Sequence, residues 1–375
     1  VYVMLPYTGD YIEHIEPGKN SLKFYSFTPR PLMRGNIYQM DDELAMLLID
    51  AHRNIGFLEG LIKYAPNKEA FAELMLLKEC TYSRMIDYDN PDFKEILTSR
   101  GTGKGNISPI IDLEAAYRAA LNMEICAPDL SRICGIALYR ESEDNPMSVR
   151  DHQTFWLGAK TNLKGYNPTA PDAVLPALAD ISAYLYNDQN TDPLIKAALV
   201  HYQFEMIHPF ERYNGIVGRI IVPMMLSDIA REAKLLICLS EYLYHNKNEY
   251  FDLLRSTQYS GGYIRWIKFF VNAVGEVAKK SAKLMTQYER IIALDEHRLT
   301  EIGKSTKSIF EIYNYLKDTP ITTITVAERN LGFSFNTVSK LFHSLQGYGI
   351  VECHLPSYRN RVFRYSELEN LICAD

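Results

Sequence analysis

The chain has no run of about 18 consecutive apolar residues, so no transmembrane helix is expected. Its N-terminus, Val1-Tyr-Val-Met-Leu-Pro, lacks the charged and apolar regions of a signal peptide, and no leader is predicted there. Cysteine is sparse: Cys80, Cys126, Cys134, Cys238, Cys353 and Cys373 are scattered without CxxC spacing, mostly in apolar company. That pattern argues against a disulfide or zinc framework and predicts buried thiols in a reducing, cytoplasmic compartment. Internal repeats and low-complexity tracts are missing as well. The net charge of −6 gives no global reason for a nucleic-acid or membrane partner, although a local basic patch stays open. What is present is ordinary: 47% apolar and 23% charged residues describe a globular protein. A length of 375 residues predicts two or three domains, each burying a core.

Apolar residues recur mostly at three- and four-residue steps, so the chain reads as mainly α. Residues 1–36, rich in Pro, Gly and Tyr, read as an extended arm. Residues 37–110 form an N-terminal helical region. It holds one helix over 40–64, capped by Asp41-Asp42, and a second from Pro66 to about Tyr82. Residues 88–109, with Gly101, Gly103 and Gly105, read as a polar loop. Residues 111–295 form a helical core domain, with helices at 111–125, 173–187, 193–206, 215–231, 247–257 and 262–290. Within it, Ile136-Ala-Leu-Tyr-Arg140 is short and β-like. Thr154 to Gly158 and Asn162 to Tyr166 suggest a small β-hairpin. In the tail, 303–375, helices at 309–316, 326–331 and 335–345 precede strands at 351–354 and 361–365. That is the order of a winged helix-turn-helix.

The most informative stretch is His201-Tyr-Gln-Phe-Glu-Met-Ile-His208-Pro-Phe-Glu-Arg-Tyr-Asn-Gly-Ile-Val-Gly-Arg219. An apolar helix ends at a His-Pro step, and a short polar loop leads through Asn214-Gly215 and Gly218-Arg219 into a second apolar helix. Pro209 stops the first helix, so the His208 imidazole sits at an element boundary facing the loop. A histidine titrating near neutral pH can take a hydroxyl proton. Loop N–H groups at the next helix N-terminus, together with Arg219, can hold phosphates. Attack on phosphorus needs charge neutralisation more than covalent help.

These residues resemble the signature of the Fic (filamentation induced by cAMP) family, His-Pro-Phe-x-Asp/Glu-Gly-Asn-Gly-Arg-x-x-Arg. The resemblance covers nearly all of the chain beyond residue 36. It implies a Fic-type helical bundle with a small β-hairpin flap, and AMP transfer from ATP to a Ser, Thr or Tyr hydroxyl of a protein, this chain itself included. By the same resemblance His208 is the base. Asn214, Gly215, Gly218 and Arg219 cradle phosphate, and the flap, with Phe155, Trp156, Gly158 and Tyr166, aligns the target. Many members carry a helix with Ser/Thr-x-x-x-Glu-Gly/Asn whose Glu obstructs the γ-phosphate. Here Ser83-Arg-Met-Ile-Asp87-Tyr88 resembles it, with Asp for Glu and Tyr for Gly. A homodimer is left open.

The departures are concrete. Arg212 stands where the family places the acidic residue that binds Mg²⁺. Tyr213 replaces the Gly that lets backbone approach phosphate. Ile216 replaces the first arginine, and on this reading Asp87 has lost its salt-bridge partner. Three outcomes stay open. Glu211, one position early, reaches a metal; Arg212 itself neutralises phosphate without metal; or catalysis is lost and the pocket serves binding. His201 and Glu205, at i and i+4, would fit a metal pair. The reading adopted sets His201 in the interhelix core and Glu205 in a local pair. Against the regulatory reading of Asp87, which is the one adopted, stands an ordinary loop or helix-end carboxylate, and against target-gripping by Phe155, Trp156 and Tyr166 stands simple packing. In the tail, Asn336, Thr337, Ser339, Lys340 and His343 on the second helix of the turn, with Arg359, Arg361 and Arg364 near the wing, are compatible with DNA. Glu328, Glu352, Glu367 and Glu369 dilute that patch. The leading expectation is nucleotidyl transfer; the rival is a non-catalytic regulator acting through the winged helix.

Overall fold

The structure, a computed structural model, describes residues 8–15, 23–33, 37–88, 91–139, 146–155, 167–301, 307–354 and 361–374. Its centre is α7 (Pro193–Ile207), which Asp192 caps by accepting from the Leu194 N–H at 2.9 Å. This helix is mostly apolar and is buried at every residue except Pro193 and Lys196, as befits a helix in the middle of a bundle. It packs on α8 (Asn214–Met225), α6 (Pro171–Asn187) and α11 (Ile264–Glu301). Trp266 of α11 locks the bundle by donating its indole N–H to the Ala198 carbonyl at 2.7 Å. Helix α1 (Asp42–Tyr64) lies along α11, with Gly275 of α11 close against Ala51. Asp41 caps α1 as the sequence predicts, accepting from Leu44 N–H at 2.8 Å.

Helix α2 (Lys68–Asp87) runs five residues past the predicted end and delivers Ser83 and Asp87 to the start of α8. It packs on α4 (Ser108–Ala120) and α9 (Leu239–His245). Buried Glu79 of α2 accepts from the Tyr117 hydroxyl at 2.7 Å and from the Ser240 N–H at 2.9 Å. Helix α10 (Lys247–Ser260) completes this side of the bundle.

Several predicted segments differ. The polar loop over 88–109 contains α3 (Phe93–Thr102): Asp92 caps it through Glu95 N–H, Phe93, Ile96, Leu97 and Gly101 face inward, and Gly103 ends it at φ 66°. Of the β-like run 136–140, residues 136–139 belong instead to α5 (Ala127–Tyr139), and Arg140 lies outside the described residues. Leu130, Ile133, Cys134 and Ala137 make one buried helical stripe there, and a four-residue apolar run cannot by itself separate strand from buried helix. The arm at 1–36 holds an antiparallel hairpin, β1 (Gly9–Ile15) with β2 (Lys23–Pro29). The sequence reading also overlooked α9. The hairpin over 154–166 falls largely outside the described residues.

The tail orders as α12 (Lys307–Asp318), β3 (Ile321–Thr323), α13 (Ile324–Leu331), α14 (Phe335–Gly347), β4 (Glu352–His354), β5 (Val362–Arg364) and α15 (Ser366–Cys373). The strands form one antiparallel sheet in the order β3-β5-β4. Gly332 at φ 69° turns α13 into α14, and Phe342 stacks on Phe363 at 4.4 Å. Buried apolar side chains from Phe27 to Ile372 form one continuous cluster. No helix among the described residues is long and apolar enough to cross a membrane.

Candidate active site

His208 ends α7 in the left-handed region, φ 52° and ψ 62°. This turn lifts its side chain off the helix into the loop, and Arg150 holds the turn in place. The buried Arg150 guanidinium donates to the carbonyls of His208 (2.7 Å), Ile207 (3.1 Å), His152 (3.0 Å) and Thr169, and its own N–H donates to Pro209 (3.0 Å). Arg150 thus ties the His208 turn to the segments 150–155 and 167–169. Nothing in the sequence marks this residue. His208 Nδ1 donates to the Glu205 carbonyl at 3.3 Å, so the neutral ring carries its lone pair on Nε2. Burial, against a weak opposing pull from that hydrogen bond, pushes the His208 pKa down to about 4. The ring is therefore neutral at physiological pH, the form a base requires.

The loop closes on itself through Asn214. Its side-chain oxygen accepts from Phe210 N–H and its amide donates to Phe210 C=O, both at 2.8 Å. The Asn214 side chain therefore shapes the loop, and any phosphate contact falls to the first-turn N–H groups of α8, which lack helical partners. Tyr213, just before α8, adopts φ 66°. That is a backbone glycine takes freely, and in Tyr it costs about 1–2 kcal/mol. The ring is held by Arg84, which donates to its hydroxyl at 2.6 Å and lies over both Tyr213 and Tyr88. Tyr88 meets Tyr213 edge-on at 5.4 Å. Arg84 and Tyr88 thus clasp the loop from the end of α2.

Arg219, 1% exposed, is the buried cation of the site. Its Nε donates to the Ser83 hydroxyl at 2.8 Å, and an Nη donates to the Ser83 carbonyl at 2.7 Å and to Asp87 at 2.5 Å. The expectation that Asp87 has lost its partner is corrected here: Asp87 pairs with Arg219, not with the position of Ile216. Ile216 itself is fully buried in the apolar core, so that face of α8 packs instead of meeting a ligand. Gly215 permits the pair, since a Cβ there would stand 2.9 Å from the Asp87 carboxylate. Gly218 serves packing: a Cβ would lie 2.4 Å from Glu205 Oε1.

His201 donates from Nδ1 to Gly218 C=O at 2.8 Å, meets the Tyr250 hydroxyl at 2.9 Å through Nε2, and stacks on Trp266. It is a core histidine, as the sequence reading has it. Arg212 and Glu211 are both exposed. Among the described residues no three His, Cys, Asp or Glu side chains gather as metal ligands. With a guanidinium at the position of the expected carboxylate, the donor set does not fit Mg²⁺. Phe155 packs edge-on against Phe24 of β2 at 5.2 Å. Trp156, Gly158 and Tyr166 lie outside the described residues.

Residues 126–226 match the Fic/DOC family. The protein adenylyltransferase fic-1 of Caenorhabditis briggsae is 38% identical over 64 residues, 16% of this chain and 12% of that protein. A probable protein adenylyltransferase of Aquifex aeolicus is 28% identical over 113 residues, 30% of this chain and 31% of that protein. The chain thus spans less than a third of the length of these curated relatives. Among solved structures, a Fic family protein from Desulfovibrio desulfuricans G20 shares the fold, with a TM-score of 0.55 at 15% identity over 88% of this chain and 98% of that one. The stretch that matches the Fic/DOC family, 126–226, carries His208, the Asn214 loop and Arg219.

Proposed function

We propose that this protein is a Fic-type adenylyltransferase held shut by its own α2. The observation that carries the proposal is the pairing of Ser83 and Asp87 with Arg219. The buried Arg219 guanidinium, which would meet phosphate, is occupied by the segment that resembles the family's inhibitory helix. In the open enzyme His208 would take the proton of a target Ser, Thr or Tyr hydroxyl. That oxygen would bond to the α-phosphorus of ATP as the bond to pyrophosphate breaks. Arg219, exposed Arg212 and the α8 N-terminus would meet the phosphate charge. No step is assigned to Mg²⁺, because Arg212 opposes it. In this scheme 37–110 is the regulatory helical region, 111–295 the Fic core and 303–375 a winged helix-turn-helix.

Calorimetric titration with ATP, with and without Mg²⁺, tests the scheme. Asp87→Gly is expected to tighten binding about tenfold or more, since it removes a charge-assisted bond to a buried cation. His208→Ala in that background should still bind ATP but lose transfer of label from α-labelled ATP to protein. If neither wild type nor Asp87→Gly binds at millimolar ATP, the transferase reading is overturned.

A second reading rests on α14. Its Asn336, Lys340 and His343 are exposed, and Arg361 reaches His343 at 3.3 Å. That surface suits a DNA-binding regulator. Arg364 weakens it, since Glu369 already holds its guanidinium at 2.6 Å. Fluorescence anisotropy with mixed duplex DNA at two salt concentrations decides: salt-insensitive or absent binding rejects this reading.

A further inference from the structure

We propose that Arg84 of α2 is a specificity residue for the nucleotide, donating to the terminal phosphate of a triphosphate held at the α8 N-terminus. The proposal rests on the transferase reading and deepens it: α2 then carries a ligand-binding cation beside the carboxylate that shuts the site. Arg84 lies in the last turn of α2, three residues before Asp87 and four before Tyr88. That spacing sets all three on one side of the helix, the side turned to α8 and its loop. A cation in a last turn often serves only the helix dipole. Arg84 is aimed elsewhere. Among the described residues no backbone carbonyl and no carboxylate receives its guanidinium, and Nη1 donates to the Tyr213 hydroxyl at 2.6 Å. The group lies 5.0 Å from the ring centre of Tyr88 and 5.7 Å from that of Tyr213. Its Nε is buried and has no acceptor. Such an N–H is costly in a folded protein, and an anionic ligand would satisfy it.

The surroundings suit an anion. Tyr213 gives α8 no side-chain cap and no acidic residue stands in its first turn, so the positive end of that helix is uncompensated. Burial raises the pKa of the Tyr88 hydroxyl, and Arg84 and Arg212 both oppose that rise, so both guanidinium groups lie within reach of it. Among the described residues neither has an ion pair, and Asp87 is spent on Arg219. The resemblance calls for an arginine at Ile216, which packs in the core instead. Arg84 supplies from α2 the guanidinium that α8 lacks. Asp87 marks the place of the phosphate. An oxygen that replaced its carboxylate on Arg219 would stand between Arg219 and the residue one turn back on α2, which is Arg84. Only the Asp87 side chain has to give way for this. A guanidinium–phosphate contact is charge-assisted and forked, and it outweighs the neutral bond to Tyr213 that it replaces. A diphosphate ends short of Arg84, so the contact separates triphosphate from diphosphate.

Calorimetry with ATP and with ADP tests this on the full chain carrying Asp87→Gly, where the competing carboxylate is gone. Adding Arg84→Gln is expected to weaken ATP binding about tenfold or more and ADP binding less than about twofold, with unchanged circular dichroism. Arg84→Lys keeps the charge without the planar fork, so its loss on ATP should be smaller and ADP again spared. It carries the test if the glutamine variant unfolds. Equal weakening of ATP and ADP overturns the proposal, because Arg84 would then only brace the loop through Tyr213. Unchanged or tighter ATP binding overturns it too, by making Arg84 part of the latch. An Asp87→Gly protein that binds neither nucleotide overturns the transferase reading itself, and this proposal with it.

Discussion

Three ionisable side chains of the site have pKa values set by burial, and they pull stability in opposite directions with pH. His201 and His208 are both pushed down to about 4, and Glu205 is pushed up to about 8. Ordinary values are 6.5 for His and 4.5 for Glu. Between pH 4 and 6.5 the unfolded histidines bind protons the folded ones refuse, so acidification destabilises the fold. Between pH 4.5 and 8 folded Glu205 keeps a proton the unfolded chain releases, so rising pH destabilises it. Two histidines outweigh one glutamate below pH 6.5, and above it Glu205 acts alone, so the contribution of these three groups peaks near 6.5. Glu205→Gln is expected to remove their alkaline slope, up to about 1.4 kcal/mol per pH unit. Thermal unfolding of both proteins from about pH 5 to about pH 8.5 measures it, and parallel curves above pH 6.5 would contradict the assignment.

At the scale of elements, the contact of α3 with β3 is unusually close. A Cβ on Gly101 would fall 1.5 Å from the Ile321 carbonyl oxygen, so Gly101→Ala must push the two elements apart. A loss of about 3 kcal/mol is expected, read from the urea midpoint at constant m-value. A change below about 0.5 kcal/mol would show that the interface yields freely. The residues involved also show what the sequence does and does not disclose. Helices with a carboxylate cap and a sustained apolar stripe, such as α1 behind Asp41, were legible. Helix α3 was not, because the Gly101, Gly103 and Gly105 cluster reads as loop until Ile321 is seen to require the first and the end of the helix the second. Helix α5 was misread because its last apolar run is too short to carry a period. The β1-β2 hairpin was missed because its support is remote: Phe27 donates to Asn167 at 3.1 Å, and Thr169 donates to Phe27 at 3.0 Å.

Across the whole molecule, α2 links the tail to the candidate active site. Lys78, 1% exposed, donates to the Ile372 carbonyl of α15 at 3.1 Å and pairs with Glu241 at 2.8 Å. Lys280 shares Glu241 at 3.2 Å. Lys78→Met would leave Glu241 with Lys280 alone, and a loss of about 3 kcal/mol is expected, the low end for breaking a buried pair. Amide exchange in α15 should accelerate with it. An unchanged α15 would mean that the tail is held by its apolar contacts and not through Lys78.

The linear sequence determined the helical class, the ends of capped helices with a sustained apolar stripe such as α1, and the run from His208 to Arg219, because periodicity, caps and motif spacing are local properties of the chain. Only the tertiary structure decided that Arg150 holds the His208 turn, that Asp87 meets Arg219 across α2 and α8, and that Asn214 folds back on its own loop. These depend on which backbone carbonyls and charges converge once distant elements pack. Burial shifts pKa values by the same route, through a local dielectric that no residue carries in its own letter.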